Sequence, residues 1–173
     1  ADDSDGEIGG LASDCIEVME NLVLAEKKSD SSITLKLFNR LLEDSNDHAY
    51  EGWEEFTIDI LRLCAEIADT EASQVLLRAR VMAYLDKSDT DGFSTYYAAP
   101  LLQILHRLIV VYGTDAEALQ FEEENSTHAS FREMLIERAK KENNFEKVIA
   151  LAIDGETQDD HYSGRKPKWK DFR

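Results

Sequence analysis

The amino-acid sequence predicts an all-α protein, a stack of antiparallel helical hairpins of the α-α superhelix kind with about eight to nine helices. Three observations point there. Apolar residues recur at three- and four-residue spacing in stretch after stretch, which places them on single helical faces. No strand-like alternation bounded by hairpin turns occurs. The first helices of successive pairs start near residues 8, 52, 94, 130 and 166, a spacing of about 36 to 44 residues that suits paired-helix repeats.

The first helix is marked by Ile8, Leu11, Cys15, Val18, Met19, Leu22 and Val23 and reaches about Lys28. It follows an acidic, disordered approach over residues 1–7. Ser29 to Ser32 turns the chain, and Leu35, Leu37, Phe38, Leu41 and Leu42 mark the second helix, to Asp44. The third runs from about Gly52 to Ala68, with Trp53, Phe56, Ile60, Leu61, Cys64 and Ile67 facing inward. Thr70 caps the fourth, whose stripe is Val75, Ala79, Met82 and Leu85.

The fifth helix is the most apolar. Between Leu101 and Val111 only Gln103, His106 and Arg107 are polar, and a helix apolar nearly all round belongs at the centre of a domain. Pro100 either opens this helix or lies inside a longer one starting near Ser94. Gly113 predicts a left-handed stop, and Thr114 with Glu117 has capping-box spacing before a short sixth helix. Ser130 and Glu133 repeat that spacing before the seventh, on Phe131, Leu135 and Ala139. After Asn143-Asn144 the pattern restarts with Phe145, Val148, Ile149, Ala152 and Ile153. So short a connection leaves only an antiparallel hairpin. Asp154-Gly155 predicts its end, and residues 165–173 a ninth helix. The expected organisation is one helical-repeat domain over 8–173, a piece of a longer protein. Its C-terminal edge should expose Trp169 and Phe172 and allow a weak homodimer.

Composition narrows the function. The chain has 173 residues, 36 of them acidic and 19 basic, for a formal charge of -17. Such a field repels phosphate backbones and anionic lipid, arguing against direct nucleic-acid or membrane binding by this stretch. Cys15 and Cys64 both fall on apolar faces, which predicts buried thiols and an intracellular, cytoplasmic protein. His48, His106, His128 and His161 have no metal-ligand spacing, so no metal and no cofactor is expected. The calcium-loop-like runs DDSDG and SDTDG fail because neither has the first carboxylate nor the twelfth-position Glu. No catalytic constellation is recognisable. The alternative to a binding protein is an all-α magnesium-dependent hydrolase using Glu54, Glu55 and Asp59, although these lack the EExxE-type spacing of such enzymes.

The candidate partner-binding residues are Gln103, His106 and Arg107 on the fifth helix and Arg132 and Arg138 on the seventh. The first helix of each pair lines the inner surface of a repeat stack, where ligands bind. Equally, Arg107 can pair with an acidic neighbour from an adjacent hairpin while His106 is a satisfied core group. Arg132 and Arg138 can meet an acidic peptide or pair with Glu133, Glu137 or Glu142. The partner is then a protein, or another domain of the same chain.

Two resemblances accompany this reading. In NNFEKVIALA, the residues Asn144, Phe145, Lys147, Val148 and Ala152 resemble the turn between the helices of a tetratricopeptide repeat. From about Val110 to Arg173, the succession VYGTDAEALQFEEEN, SFREMLIERAKKENNFEKVIALAIDGE, DDHYSG and KPKWKDFR resembles the helical C-terminal region of bacterial SWIM zinc-finger proteins. In that family a Cys-x-Cys…Cys-x-His motif lies upstream of the helices. The resemblance implies that this stretch is the helical-repeat region alone, with zinc and nucleic-acid contacts belonging to a finger outside it; the stacked hairpins themselves point to a non-enzymatic scaffold whose acidic groove favours a basic or amphipathic partner segment.

Overall fold

A computed structural model of the chain describes residues 6–26, 31–47, 50, 53–88, 94–158, 169–170 and 172. Among these the protein is all-helical, with eight helices and no strand: α1 (Glu7–Glu26), α2 (Ser31–Asp44), α3 (Glu54–Glu66), α4 (Glu71–Ser88), α5 (Ser94–Tyr112), α6 (Asp115–Glu124), α7 (Ala129–Lys141) and α8 (Phe145–Gln158). No described helix is long and apolar enough to cross a membrane. Most of the predicted ninth helix and most of both calcium-loop-like runs lie outside the described residues. Where the sequence suggests one domain over 8–173, the chain parts into two compact units, Ala1–Leu108 and Ile109–Arg173.

In the first unit α3 is the hub, packed against α1, α2 and α4. Four of its polar residues, Glu55, Asp59, Arg62 and Glu66, follow one another at spacings of four, three and four, so they form a single narrow stripe. Beyond the half-buried Glu54, the rest of its surface, Phe56, Thr57, Ile58, Ile60, Leu61, Leu63, Cys64 and Ala65, is buried. This corrects the expectation that the fifth helix is central. In α5, Leu101, Ile104, Leu105 and Leu108 are buried, but Val110, Val111 and Tyr112 are exposed. Apolarity permits burial on every side; the neighbours decide how many sides are covered. Pro100 lies inside α5, so the longer of the two helices is the one formed.

Within the first unit α1, α3 and α5 run in the same direction. Tyr97 of α5 donates to Glu55 of α3 at 3.3 Å, and ten residues further on Arg107 reaches Glu66, also at 3.3 Å. Toward α1 the order is kept, with Ser13 and Glu17 beside Phe56 and Asp59, and Glu20 beside Leu63 and Glu66. Parallel first-of-pair helices are what consecutive antiparallel hairpins produce. The second-of-pair helices of this unit, α2 and α4, meet at Ser45, just past α2. Its carbonyl accepts from the Tyr84 hydroxyl at 2.5 Å, and its Oγ from Arg80 at 3.3 Å.

Those anchors turn α4 away from the expected face. Ser73, Leu77 and Val81 are buried, whereas Val75, Ala79 and Met82 are exposed. The helix carries apolar residues all round, so periodicity alone selects no face. Thr70 does cap it, accepting from the Ser73 amide at 3.1 Å.

The second unit is built from α6, α7 and α8. Thr114 and Glu117 form a complete capping box: Thr114 Oγ1 accepts from the Glu117 amide at 3.2 Å, and the Glu117 carboxylate accepts from the Thr114 amide at 2.8 Å. Gly113 is needed here for space and not for a left-handed turn. A Cβ on it would stand 2.8 Å from the Ile109 carbonyl oxygen and 2.9 Å from Glu117. Ser130 is not a cap. The N-cap of α7 is His128, which makes no side-chain cap bond, and Ser130 lies inside the helix. Between α7 and α8 the turn is made by Asn143 in the left-handed region (φ 57°) and by Asn144, whose Oδ1 accepts from the Lys147 amide at 3.1 Å. Asparagine tolerates that backbone region because its side chain can bond locally.

The chain's end corrects two further expectations. Gly155 does not stop α8, which continues to Gln158; it is a notch for Trp169, whose ring carbons lie 2.6 to 3.0 Å from where a Cβ would stand. Trp169 is fully buried, in a cluster with Ile136, Ala139 and Val148, and Phe172 packs against the same cluster. The C-terminal edge therefore does not expose Trp169, and the homodimer argued from that exposure loses its basis.

Candidate interaction groove

Because α1, α3 and α5 lie side by side in one direction, their polar stripes line up across one surface of the first unit. Two hollows adjoin there and share Glu20. One, of about 480 Å³, is lined by Ser13, Ile16, Glu17, Glu20, Phe56 and Asp59. The other, of about 290 Å³, has Leu63, Ala65 and Ile104 as its apolar floor, with Glu20, Arg62, Glu66, Gln103 and Arg107 around it.

Within the groove Arg62 donates to Asp59 at 2.7 Å, and Arg107 reaches Glu66 across helices at 3.3 Å. Both pairs are substantially exposed, so each is worth well under 1 kcal/mol in stability; their effect is to set the charge pattern. Asp59 and Glu66 are offset by the two arginines. Glu17 and Glu20 add two carboxylates on the α1 side, leaving the groove acidic. It is an apolar-floored, acid-edged trough running along three helices.

Of the five residues singled out from sequence, Gln103 and Arg107 line this groove. His106 is buried and takes no part in it. Arg107 does pair with an acidic residue of a neighbouring hairpin, Glu66. The other two arginines belong to the second unit and are engaged inside it, with partners different from those the sequence suggested. Arg138 forks onto Glu122 (Nε to Oε2 2.6 Å, Nη2 to Oε1 3.1 Å) and also holds Asp115 at 2.6 Å, tying α7 to α6. These bonds raise its pKa further above the ordinary arginine range. Arg132 is fully buried: its Nη2 donates to Gln158 Oε1 at 2.5 Å and to the Thr127 carbonyl at 3.2 Å, its Nε lies 3.4 Å from Asp154, and its guanidinium sits 5.0 Å from the centre of the Trp169 ring.

The groove residues that sequence reasoning passed over are Glu17, Glu20, Arg62 and Glu66. A signal existed for the last two: one polar stripe on an otherwise apolar helix marks an edge facing solvent between neighbours.

Of the carboxylates weighed for magnesium, Glu54, Glu55 and Asp59, Glu55 accepts from Tyr97 and Asp59 from Arg62. Among the described residues no three His, Cys, Asp or Glu side chains come together as a metal site. The cysteines differ. Cys64 is buried, and burial pushes its thiol up to about 12, while Cys15 is exposed, against the expectation of two buried thiols. Fold and groove together define an all-α protein of helical hairpins with an open acidic trough. Compared with known proteins, the chain matches no family model, no curated protein and no solved structure.

Proposed function

We propose that this protein is a non-enzymatic scaffold that binds a basic, extended or amphipathic segment of a partner protein, or of another domain of its own chain, along the α1–α3–α5 groove. One observation carries the reading. Three successive first-of-pair helices run parallel and place Glu17 and Glu20, then Asp59, Arg62 and Glu66, then Gln103 and Arg107 across one continuous surface. A segment lying on the apolar floor would set its lysines or arginines against Glu17 and Glu20. Its carbonyls would meet the amide of Gln103. Such a site recognises an extended chain and offers no group positioned for bond-making chemistry.

A photoreactive amino acid placed at Gln103 in the source cell tests this. A specific protein should be captured, and capture should fall about tenfold or more in Glu20→Lys, a surface change that leaves the fold intact. Capture of nothing, or capture indifferent to Glu20→Lys, would remove the groove as the binding surface.

The resemblance of residues 110–173 to the helical region of SWIM zinc-finger proteins supports a finer proposal. The chain would be the tetratricopeptide-like helical part of a bacterial, cytoplasmic protein of that kind, with zinc and nucleic-acid contacts made by a separate finger. A gene encoding a Cys-x-Cys…Cys-x-His motif ahead of Ala1 would support that assignment, and a gene without one would count against it.

A further inference from the structure

The side of α1 facing away from the groove carries its own apolar seam. Leu11, Cys15, Val18 and Leu22 stand at intervals of four, three and four residues, which makes them one line along the helix. All four are exposed, with Leu11 at 66%, Val18 at 59% and Leu22 at 51%. The groove-lining Ser13, Glu17 and Glu20 lie roughly half a turn around the helix from this line at about 100° per residue. Between the two, α1 is seated through Val23, which is buried, and the half-buried Ala12, Ile16 and Met19. The apolar arc of α1 is therefore about twice as wide as the part its neighbours cover. An apolar line of this kind is what a helix shows to a neighbouring helix, and none of the described residues covers it.

Charge decides which neighbour. Residues 7–26 contain no lysine or arginine, and Glu7 and Asp14, both exposed, border the seam on one side. Residues 1–108 as a whole hold 22 acidic residues against nine basic ones. A second copy would bring an equally acidic edge to the same place, and like charges brought face to face oppose docking. A helix that is apolar on one side and lysine- or arginine-rich along its margin meets both requirements at once.

We infer that the outer seam of α1, Leu11–Cys15–Val18–Leu22, is a docking site for a cationic amphipathic helix of a partner protein, which would extend the row of parallel first-of-pair helices by one. This surface is separate from the groove proposed above, and either can fail without the other.

The test uses the whole chain and an 18-residue synthetic amphipathic helix of leucine and lysine, with its leucine–glutamate counterpart as control. Cys15 sits in the seam and reports directly, since the Cys64 thiol is buried. Saturating leucine–lysine peptide should slow alkylation of Cys15 by at least about tenfold, and the glutamate peptide should not. The double variant Leu11→Ser, Val18→Ser should weaken peptide affinity by about tenfold or more. Leu24→Ser, equally exposed at 58% but off the seam, should leave affinity unchanged, and the groove variant Arg107→Glu should leave the peptide's protection of Cys15 unchanged. Circular dichroism of each variant should match the parent, since only exposed side chains change. Equal weakening by Leu24→Ser would reduce the binding to unspecific attraction and overturn the proposal. So would peptide binding that leaves Cys15 as reactive as before. Sedimentation showing a dimer of the free protein that Val18→Ser dissociates would replace the partner helix with a second copy.

Discussion

Replacing a glycine inside a helix by alanine normally stabilises a protein, and at Gly155 the sign should reverse. Alanine is favoured over glycine in helix interiors by about 1 kcal/mol, because glycine gives up more backbone freedom on folding. Gly155 lies within α8, so Gly155→Ala begins with that gain. Against it stands the Trp169 ring. The new Cβ would lie 2.6 Å from Cδ2 and 2.7 Å from Cε2, where ordinary contact begins near 3.4 Å. The ring must withdraw by nearly 1 Å or leave. It is rigid, fully buried and backed by Arg132, so it cannot relieve the clash by changing a terminal rotamer.

Overpacking of this kind costs about 1–3 kcal/mol. Complete expulsion would expose about 200 Å² of aromatic surface, about 5 kcal/mol at roughly 25 cal/mol per Å². The net expectation for Gly155→Ala is thus a loss of up to about 2 kcal/mol, and more for Gly155→Val. The protein supplies its own control. Gly10, in α1, has nothing within 4 Å of where a Cβ would stand, so Gly10→Ala should be neutral or stabilise by up to about 1 kcal/mol. The assay is urea denaturation in a Trp53→Phe background, where fluorescence comes from Trp169 alone. Gly155→Ala should lower the midpoint and shift native emission to the red. A raised midpoint with unchanged emission would mean that Trp169 does not occupy the notch, and the packing assigned to the second unit would be wrong.

Other outcomes follow from single contacts. Arg138→Met leaves the nearly inaccessible Glu122 carboxylate without its forked partner, and should destabilise the second unit by about 3 kcal/mol in urea melts. Burial, with Arg132 adding to it, lowers the pKa of His128 below the ordinary value of 6.5. The unfolded chain therefore binds the proton more readily, and the stability this residue contributes is present above about pH 6.5 and lost as pH falls through and below it. His128→Gln should flatten the fall in Trp169-monitored stability between pH 7 and 5; an unchanged slope would exclude His128 as its source. A maleimide should modify one thiol rapidly in native protein, Cys15, and both only in denaturant, because Cys64 is buried with its thiol pushed up to about 12. Equal native reactivity of the two would contradict the packing of α3.

The sequence by itself determined the helices, most of their ends and the hairpin order. Helical periodicity, capping spacings such as Thr114–Glu117 and turns such as Asn143-Asn144 are local, and their physics is complete within a few residues. It also determined that Gln103 and Arg107 stand out on α5, since a polar residue on an apolar helix is visible without neighbours. Tertiary structure decided which apolar faces are covered. On α1, α4 and α8 apolar residues extend beyond one face, and periodicity cannot say which part meets a partner. Val148 and Ala152 are buried while Phe145, Ile149 and Ile153 are exposed. It decided, too, what the glycines and arginines are for. Gly113 and Gly155 are written like helix stops, yet each is a matter of space, set by atoms up to 14 residues away. Arg132 and Arg138 are written like surface charges, yet their partners come from α6, α8 and the chain's end, brought there only by the folding of the second unit. The groove belongs to the same class of fact. Glu20, Arg62, Glu66 and Arg107 become one surface only when three helices distant in sequence lie parallel.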